Sequence, residues 1–418
     1  MIKRSIYPSL VKHLSKREIS LITGPRQSGK TTLMLRMKGE LDRKEEPSLF
    51  LNFDVEWDRV HLESQAALIR KAELELGKKG GFIFIDEIQR KEDAGLFLKG
   101  LYDLKLPYKL IVSGSGSLEL KEEIHESLVG CKRLFELTTL SFEEFVDFKT
   151  GYKYSDNLPA FFEIDREKAQ LLLAEYMNFG GYPRVVLEEK RDEKVQAVDE
   201  IYRSVLERDV AYLLKVEKTE AFSDLIKVMA GQNGNLINHK ELSSTLGISF
   251  QTLKKYLWYA QKIFLLDLVT PYSRNVGKEI SQSPVVYFRD LGLRNYPLGL
   301  FGRIESSSGS GFLFQNLVFQ MLTGSAPVGS TRVHFWRTKD KAEVDFVVEQ
   351  GKNLTPVEVK YKALKDIEIP RPLIRFCEQY RPDKAYIVNL SLRKEKRVGK
   401  TDIIAIPYWE LLQRLFNP

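Results

Sequence analysis

The sequence predicts an α/β protein that opens with a parallel sheet covered by helices on both faces. It continues into a helical lid, a winged helix and a smaller C-terminal α/β domain. Three observations carry this reading. Residues Gly24-Pro25-Arg26-Gln27-Ser28-Gly29-Lys30-Thr31 form a complete G-x-x-x-x-G-K-[ST] loop behind the apolar run Ile19-Ser20-Leu21-Ile22. Phe82-Ile83-Phe84-Ile85 is the pattern of a strand buried on both faces, and it ends in Asp86-Glu87. Strand and helix patterns then alternate through the first 150 residues.

Taken in order, the expected strands of the first domain are Glu18 to Thr23, Ser48 to Asp54, Phe82 to Ile85, Lys109 to Ser113 and Arg133 to Leu137. The glycines of the loop let successive backbone N–H groups turn inward on a phosphate, and the helix that starts at Lys30 adds its positive end. Gly24, Pro25, Arg26, Gln27, Ser28, Gly29, Lys30, Thr31 and Thr32 are therefore the expected nucleotide contacts. Lys30 reaches the β- and γ-oxygens, and Thr31 with Asp86 holds Mg²⁺. Glu87 is placed to orient or deprotonate the attacking water. The fourth strand ends in Ser113-Gly114-Ser115-Gly116-Ser117, where the hydroxyl of Ser113 or Ser115 can sense a γ-phosphate beside the acids.

A polar and aromatic connector over Tyr152 to Phe162 leads into a helix from Asp165 to Asn178, which stops at Gly180-Gly181-Tyr182-Pro183. A second helical stretch runs from Lys190 to Lys215, and the two form a lid. Asn238 to Gly247 reads as a short capped helix, Ile248-Ser249 as a tight turn and Phe250 to Phe264 as a longer helix, which is helix-turn-helix spacing. On the longer helix Leu253, Leu257, Ala260 and Phe264 form the core stripe, and Gln251, Lys255, Trp258 and Lys262 share the opposite face. Strands at Leu266 to Pro271 and Val285 to Phe288 complete a winged shape. Lys254, Lys255, Lys262, Arg274 and Lys278 are the expected DNA phosphate contacts.

Glu305 to Gly311 reads as a flexible linker. The last domain opens with an apolar helix from Phe312 to Leu322, followed by strands at Val333 to Trp336, Glu343 to Val348 and Leu354 to Lys360. Strand alternation puts Glu358 and Lys360 on one face, and hairpin pairing brings Asp345 beside them, a set able to bind a divalent metal. The expected boundaries are 1–150 for the core, 151–216 for the lid, 217–304 for the winged helix and 305–418 for the last domain.

With 64 basic against 57 acidic residues, the formal charge of +7 gives a mixed surface that leans toward an anionic partner. Cys131 and Cys377 stand far apart with no His or Cys at ligand spacing, against a zinc site or disulfide framework. No apolar run reaches the length of a membrane helix, and Met1-Ile2-Lys3-Arg4-Ser5 is not followed by a signal-like segment, so a cytosolic protein with no membrane partner is expected.

Over nearly its whole length the chain resembles a family of prokaryotic and archaeal AAA-type (AAA+) ATPases with a C-terminal region of unknown function. The residues that carry the resemblance are GPRQSGKTTL at Gly24 to Leu33, FIFIDEIQR at Phe82 to Arg90, the Ser/Gly run at Ser113, LSFEEF at Leu140 to Phe145, GGYP at Gly180, LERDV at Leu206, SRNVGK at Ser273, and AEVDF with PVEVKY near the end. The resemblance implies ATP and Mg²⁺ as cofactors and a PD-(D/E)XK nuclease-like last domain. It implies a lid contact with the nucleotide through Gly181 and Pro183. Arg208 becomes a candidate trans-acting or lid arginine, and a trans-acting one implies a homo-oligomer. Two departures stand out: Cys131 occupies the place where relatives carry an arginine, with Lys132 and Arg133 displaced, and Gln315 stands where nuclease-like relatives often carry a glutamate. The expectation is an ATP-driven switch or motor acting on duplex or branched DNA. An ATP-regulated metal-dependent nuclease and a signalling-type ATPase with a protein-interaction half are the alternatives.

Overall fold

Continuous apolar runs make buried parallel strands, and the computed structural model, which describes residues 2–115, 128–206, 210, 219–273, 283–301, 309–324, 329 and 331–416, shows this in the first sheet. Its strands are β1 (Ile19–Thr23), β2 (Ser48–Asn52), β3 (Gly81–Asp86), β4 (Tyr108–Ser113) and β5 (Lys132–Glu136). They lie in the order β2-β3-β4-β1-β5, all parallel. All five residues of β1 are buried, as a central strand with helices on both sides requires. Around the sheet run α1 (Tyr7–His13), α2 (Lys30–Asp42), α3 (Glu56–Leu62), α4 (Gln65–Leu76) and α5 (Ala94–Asp103). Two cores result: one joins Leu21, Ile83, Ile85 and Val112 to Leu68 and Leu98, and the other joins Ile22, Phe84 and Ile111 to Leu10, Met34 and Met37. The sheet is thus covered on both faces, and all five expected strands are present within two residues of their expected ends.

Beyond β5 come α6 (Phe142–Lys149), α7 (Leu158–Ile164), α8 (Arg166–Phe179), α9 (Pro183–Leu187) and α10 (Arg191–Ser204). Ser141 and Glu144 close a reciprocal capping box on α6. The stretch 152–162, expected as a connector, contains the start of α7. Asn157 caps that helix, and Phe161 and Phe162 are buried, so aromatic packing overrides the polar composition. The second lid helix is described to Ser204; the rest of its expected span, with Arg208, lies outside the described residues save for 205–206 and Val210.

Next follow α11 (Thr219–Gly231), α12 (His239–Leu246), α13 (Phe250–Lys262), and the antiparallel pair β6 (Leu266–Val269) and β7 (Val285–Phe288). Asn238 caps α12, Gly247 ends it at φ 60°, and Ser249 caps α13, so the expected helix, turn and helix are all present. The longer helix stops at Lys262, two residues short of the expected end, because Phe264 turns to φ 62°. Arg274 and Lys278 lie outside the described residues. A short helix α14 (Leu291–Asn295) leads toward the last domain.

That domain contains α15 (Ser310–Gly324), β8 (Thr331–Arg337), β9 (Glu343–Gln350), β10 (Asn353–Val359), α16 (Arg371–Tyr380), β11 (Lys384–Asn389), β12 (Lys394–Val398), β13 (Thr401–Pro407) and α17 (Leu411–Phe416). The strand order is β12-β13-β11-β10-β9-β8, a mixed sheet. Ser310 and Gly311, expected in the linker, belong to α15, while 302–308 lie outside the described residues. The sheet packs directly on the lid: Phe142, Phe145, Phe161 and Tyr176 share one core with Phe314, Phe346, Tyr386 and Tyr408.

Candidate nucleotide site and C-terminal acidic site

The phosphate loop links the carboxyl end of β1 to the N-terminus of α2, and its glycines sit where side chains cannot. A Cβ on Gly24, which has φ 150°, would meet the Leu137 carbonyl oxygen at 2.0 Å. Gly29 precedes α2 at φ 95°. Lys30 Nζ folds into the loop and donates to the Gly24 oxygen at 3.0 Å and the Pro25 oxygen at 2.7 Å. Phosphate oxygens are stronger acceptors for that ammonium than carbonyls. The Ser28 hydroxyl is buried in the loop without a hydrogen-bond partner. An orphaned donor just ahead of the N-terminus of α2 fits an anion.

Asp86 ends β3 next to this loop. Its Oδ2 accepts from Thr31 Oγ1 at 2.6 Å and from Asn52 Nδ2 at 3.4 Å, while Oδ1 accepts from the Ser113 hydroxyl and from the Glu87 N–H at 3.1 Å. Side chains from β2, β3, β4 and α2 thus converge on one carboxylate at the carboxyl edge of a parallel sheet, the place where such sheets bind ligands. Thr31 and Asp86 are the pair that would hold Mg²⁺. Glu87 takes φ 59°, and Gln89 Nε2 donates to its carboxylate. Burial raises the Glu87 pKa and the Asp86 charge adds to that, with Lys30 and Arg26 pulling the other way. A carboxylate made more basic is suited to take a proton. Ser115 is buried, and its N–H donates to Gln89 Oε1 at 3.3 Å.

The lid turn is fastened by a residue that sequence reasoning passed over. Asp290 Oδ2 accepts the Gly181 N–H at 2.8 Å, and a Cβ on Gly180, at φ 74°, would strike the same carboxylate at 2.2 Å. Burial pushes the Asp290 pKa up to about 6 against the backbone N–H groups of Gly181, Leu293 and Gly292. Gly181 in turn accepts from the Leu140 N–H, so GGYP docks on the segment after β5, with Pro183 opening α9. Next to Asp290, Arg289 makes two bonds to Asp267 of β6, at 2.9 and 3.0 Å, and a third to Glu136 at the end of β5 at 2.6 Å. Asn52, Gln89, Arg289 and Asp290 carry no spacing signature. The Asp-x-x-Leu start of α14 was the one local hint.

The departure at Cys131 has a structural meaning. Cys131 is buried just before β5, and Ile19 pairs with Lys132 at the amino end of the sheet, opposite the phosphate loop. Arg133 is exposed there, its guanidinium 5.3 Å from the Phe135 ring. None of these three reaches the nucleotide site of its own chain.

On α13, Leu253, Leu257 and Ala260 are buried, and Gln251, Lys254, Lys255 and Trp258 are exposed, with Lys262 half-buried. The helix therefore presents the expected polar face.

In the last domain Val357 pairs with Phe346, and one further step of that register sets Glu358 opposite Asp345. Asp345 Oδ1 accepts from Gln315 Nε2 of α15 at 2.9 Å and Oδ2 from the Val359 N–H at 2.7 Å. Lys360 Nζ donates to Glu358 Oε1 at 2.7 Å, and Glu358 Oε2 is buried without a partner. Burial, then the facing Glu358 charge, raise the Asp345 pKa. The four residues singled out from sequence do come together.

Fold and site define the class of the first domain, and comparison with known proteins agrees: residues 16–146 match the model of an AAA domain. The first domain is a parallel-sheet P-loop fold similar to an AAA domain. Residues 170–303 match a domain of unknown function (DUF8612), and residues 310–411 a second one (DUF4143). The chain is similar to an uncharacterized protein of Mycobacterium tuberculosis, 27% identical over 393 residues that make up 91% of this chain and 81% of the relative. It is also similar to an uncharacterized protein of Haemophilus influenzae, 24% identical over 425 residues, 98% of this chain and 99% of the relative. Among solved structures, the ORC2 protein of Aeropyrum pernix in its ADP form aligns with a TM-score of 0.33 at 12% identity, over 64% of this chain and 87% of that one. Among the described residues no helix is long and apolar enough to cross a membrane.

Proposed function

We propose that the protein binds and hydrolyses ATP and uses the nucleotide cycle to switch its grip on DNA. The observation that carries the ATPase half is the convergence of Thr31 and Asp86 at 2.6 Å beside the buried Lys30, with Glu87 one residue on. Lys30 and the loop amides bind the phosphates. Mg²⁺, when bound at Thr31 and Asp86, neutralises phosphate charge. Glu87 accepts the proton of the attacking water, and Ser113 and Asn52 keep Asp86 oriented. Arg133 stands at the wrong end of the sheet to serve in cis, and loss of such a finger can slow phosphoryl transfer by on the order of a thousandfold, so basal turnover is slow. Lys30→Ala abolishes ATP binding, whereas Glu87→Gln keeps binding and loses turnover. Undiminished turnover in Glu87→Gln would remove Glu87 from this role.

The DNA half rests on reading α12, α13, β6 and β7 as a winged helix, with Lys254, Lys255, Lys262, Arg274 and Lys278 as phosphate contacts. Such contacts release counterions, so affinity for duplex falls steeply with salt. Binding that ignores salt would favour a protein-interaction role for the C-terminal half.

A nuclease reading draws on the facing Asp345 and Glu358 and on the orphaned Glu358 oxygen. The donor set fits a metal poorly. Both Asp345 oxygens are already engaged, Lys360 competes for Glu358, and Gln315 brings a neutral amide where a third anionic oxygen would help. Among the described residues no group of three or more His, Cys, Asp or Glu is arranged to hold a metal ion. The domain is read as a nuclease-like fold that retains DNA without cutting it. Cleavage of supercoiled or branched DNA in Mg²⁺ or Mn²⁺ that disappears in Asp345→Ala would reverse this.

A further inference from the structure

The phosphate loop rests at both ends on the segment that follows β5. Its first glycine lies against the Leu137 carbonyl, and the Leu137 N–H donates to the Thr23 oxygen at 2.7 Å. At its other end the contact is made by a residue from the N-terminus. Arg4 NH1 donates to the Ser28 oxygen at 2.9 Å, while NH2 donates to the Thr138 oxygen at 2.7 Å and the Thr139 oxygen at 3.2 Å. Arg4 Nε donates to Glu144 Oε2 at 3.0 Å, in a pair whose side chains are only 8% and 10% exposed. Glu144 is itself fixed: it closes the α6 capping box, and its Oε1 accepts from the Ser5 N–H at 2.6 Å and the Ser5 hydroxyl at 2.8 Å.

We propose that Arg4 is a positioning residue for ATP binding, aiming the Gly29 N–H into the phosphate cradle by holding the Ser28 carbonyl outward. The reason is the planarity of the peptide unit. Ser28 C=O and Gly29 N–H belong to one rigid plane and point in opposite directions, so fixing the oxygen fixes the hydrogen. Gly29 has a free choice of φ on both sides of zero and would otherwise let that plane rotate. The guanidinium suits the task because its planar fork can hold four acceptors on two segments, which a lysine ammonium cannot do with the same geometry. Burial of the Arg4–Glu144 pair keeps water from competing.

The inference rests on the reading of the first domain as an ATP site, and the test separates the two. Steady-state turnover and calorimetric ATP binding are measured with the full chain in Mg²⁺ for wild type, Arg4→Ala, Arg4→Lys and Glu144→Gln. An amide aimed at bound phosphate acts equally on ground state and transition state. The expected result is therefore a KM and Kd for ATP raised about tenfold in Arg4→Ala with kcat within about twofold of wild type. Arg4→Lys, which keeps charge and stem, does not restore affinity, and Glu144→Gln, which keeps the capping box, falls between. Should Arg4→Ala fail to fold, Arg4→Lys carries the same measurement. A merely structural role would lower Tm and the active fraction while leaving KM unchanged, and unchanged KM and Kd in a folded Arg4 variant overturn the proposal. A wild-type protein that does not bind ATP overturns the ATP reading itself, and the proposal with it.

Discussion

Glu87 is held at φ 59°, a conformation that costs a side-chain-bearing residue about 1–3 kcal/mol and persists only where the surroundings impose it. Here they do: its N–H binds Asp86 and its carboxylate is gripped by Gln89. Gln89→Ala is accordingly expected to lower kcat by on the order of tenfold while leaving ATP affinity in place, checked by comparing KM and kcat. An equal fall in affinity would mean that Gln89 holds the loop rather than the base. Gly24→Ala is expected to abolish ATP binding and lower Tm, because its Cβ would lie 2.0 Å from the Leu137 carbonyl, which is backbone and cannot swing aside. Wild-type Tm and Kd in that variant would show that the loop can shift. The loop and the acid pair were legible in the sequence because their chemistry demands fixed spacing. Asn52 and Arg4 were not, since each reaches its partner across a fold that no local pattern encodes, and Gln89, two residues after the Glu87 it grips, carries no spacing signature.

At the scale of elements, Asp290 joins the lid turn to α14, accepting from Gly181 and Leu293. Its pKa is raised by burial from 3.8 to about 6. The folded state therefore keeps a proton that the unfolded chain gives up. The stability this contributes is full below pH 3.8 and is lost as pH rises through about 6, a change on the order of 3 kcal/mol. Asp290→Asn should flatten that part of the stability profile, read by urea unfolding between pH 4 and 7. An unchanged profile would mean that the carboxylate is ionised throughout. Strand and helix positions were largely legible because apolar periodicity reports burial directly. The exceptions follow physical rules: aromatic packing folded 158–164 into a helix against its polar setting, and the apolar face of α15 drew Ser310 and Gly311 into its first turn. The lid fastening was hidden, because a lone aspartate before a short helix reads as nothing more than a cap.

Across the whole molecule, Arg289 ties β6 to the end of β5 while Asp290 ties α14 to the lid turn, so adjacent residues link the phosphate-loop domain to the helix-turn-helix region. A change in the lid with nucleotide state would have a route through these bonds to β6, which shares a core with α13, and this is why a switch is preferred to two independent activities. Lys255→Glu combined with Lys262→Glu is expected to weaken duplex binding at moderate salt by tenfold or more, about 1.4 kcal/mol, without altering ATP turnover in the absence of DNA. Unchanged affinity would move the DNA contact elsewhere. The C-terminal acids were legible as a cluster, and Gln315 as the residue that weakens it for a metal, but the bonds from Gln315 and the Val359 amide to the two Asp345 oxygens appear only in the structure. The most direct measurement is the affinity of Glu87→Gln for duplex DNA with ATP and Mg²⁺ against its affinity with ADP, at fixed salt. A coupled switch gives dissociation constants that differ by at least about fivefold, the lower end of ordinary allosteric coupling. Equal affinities in the two nucleotide states would contradict it.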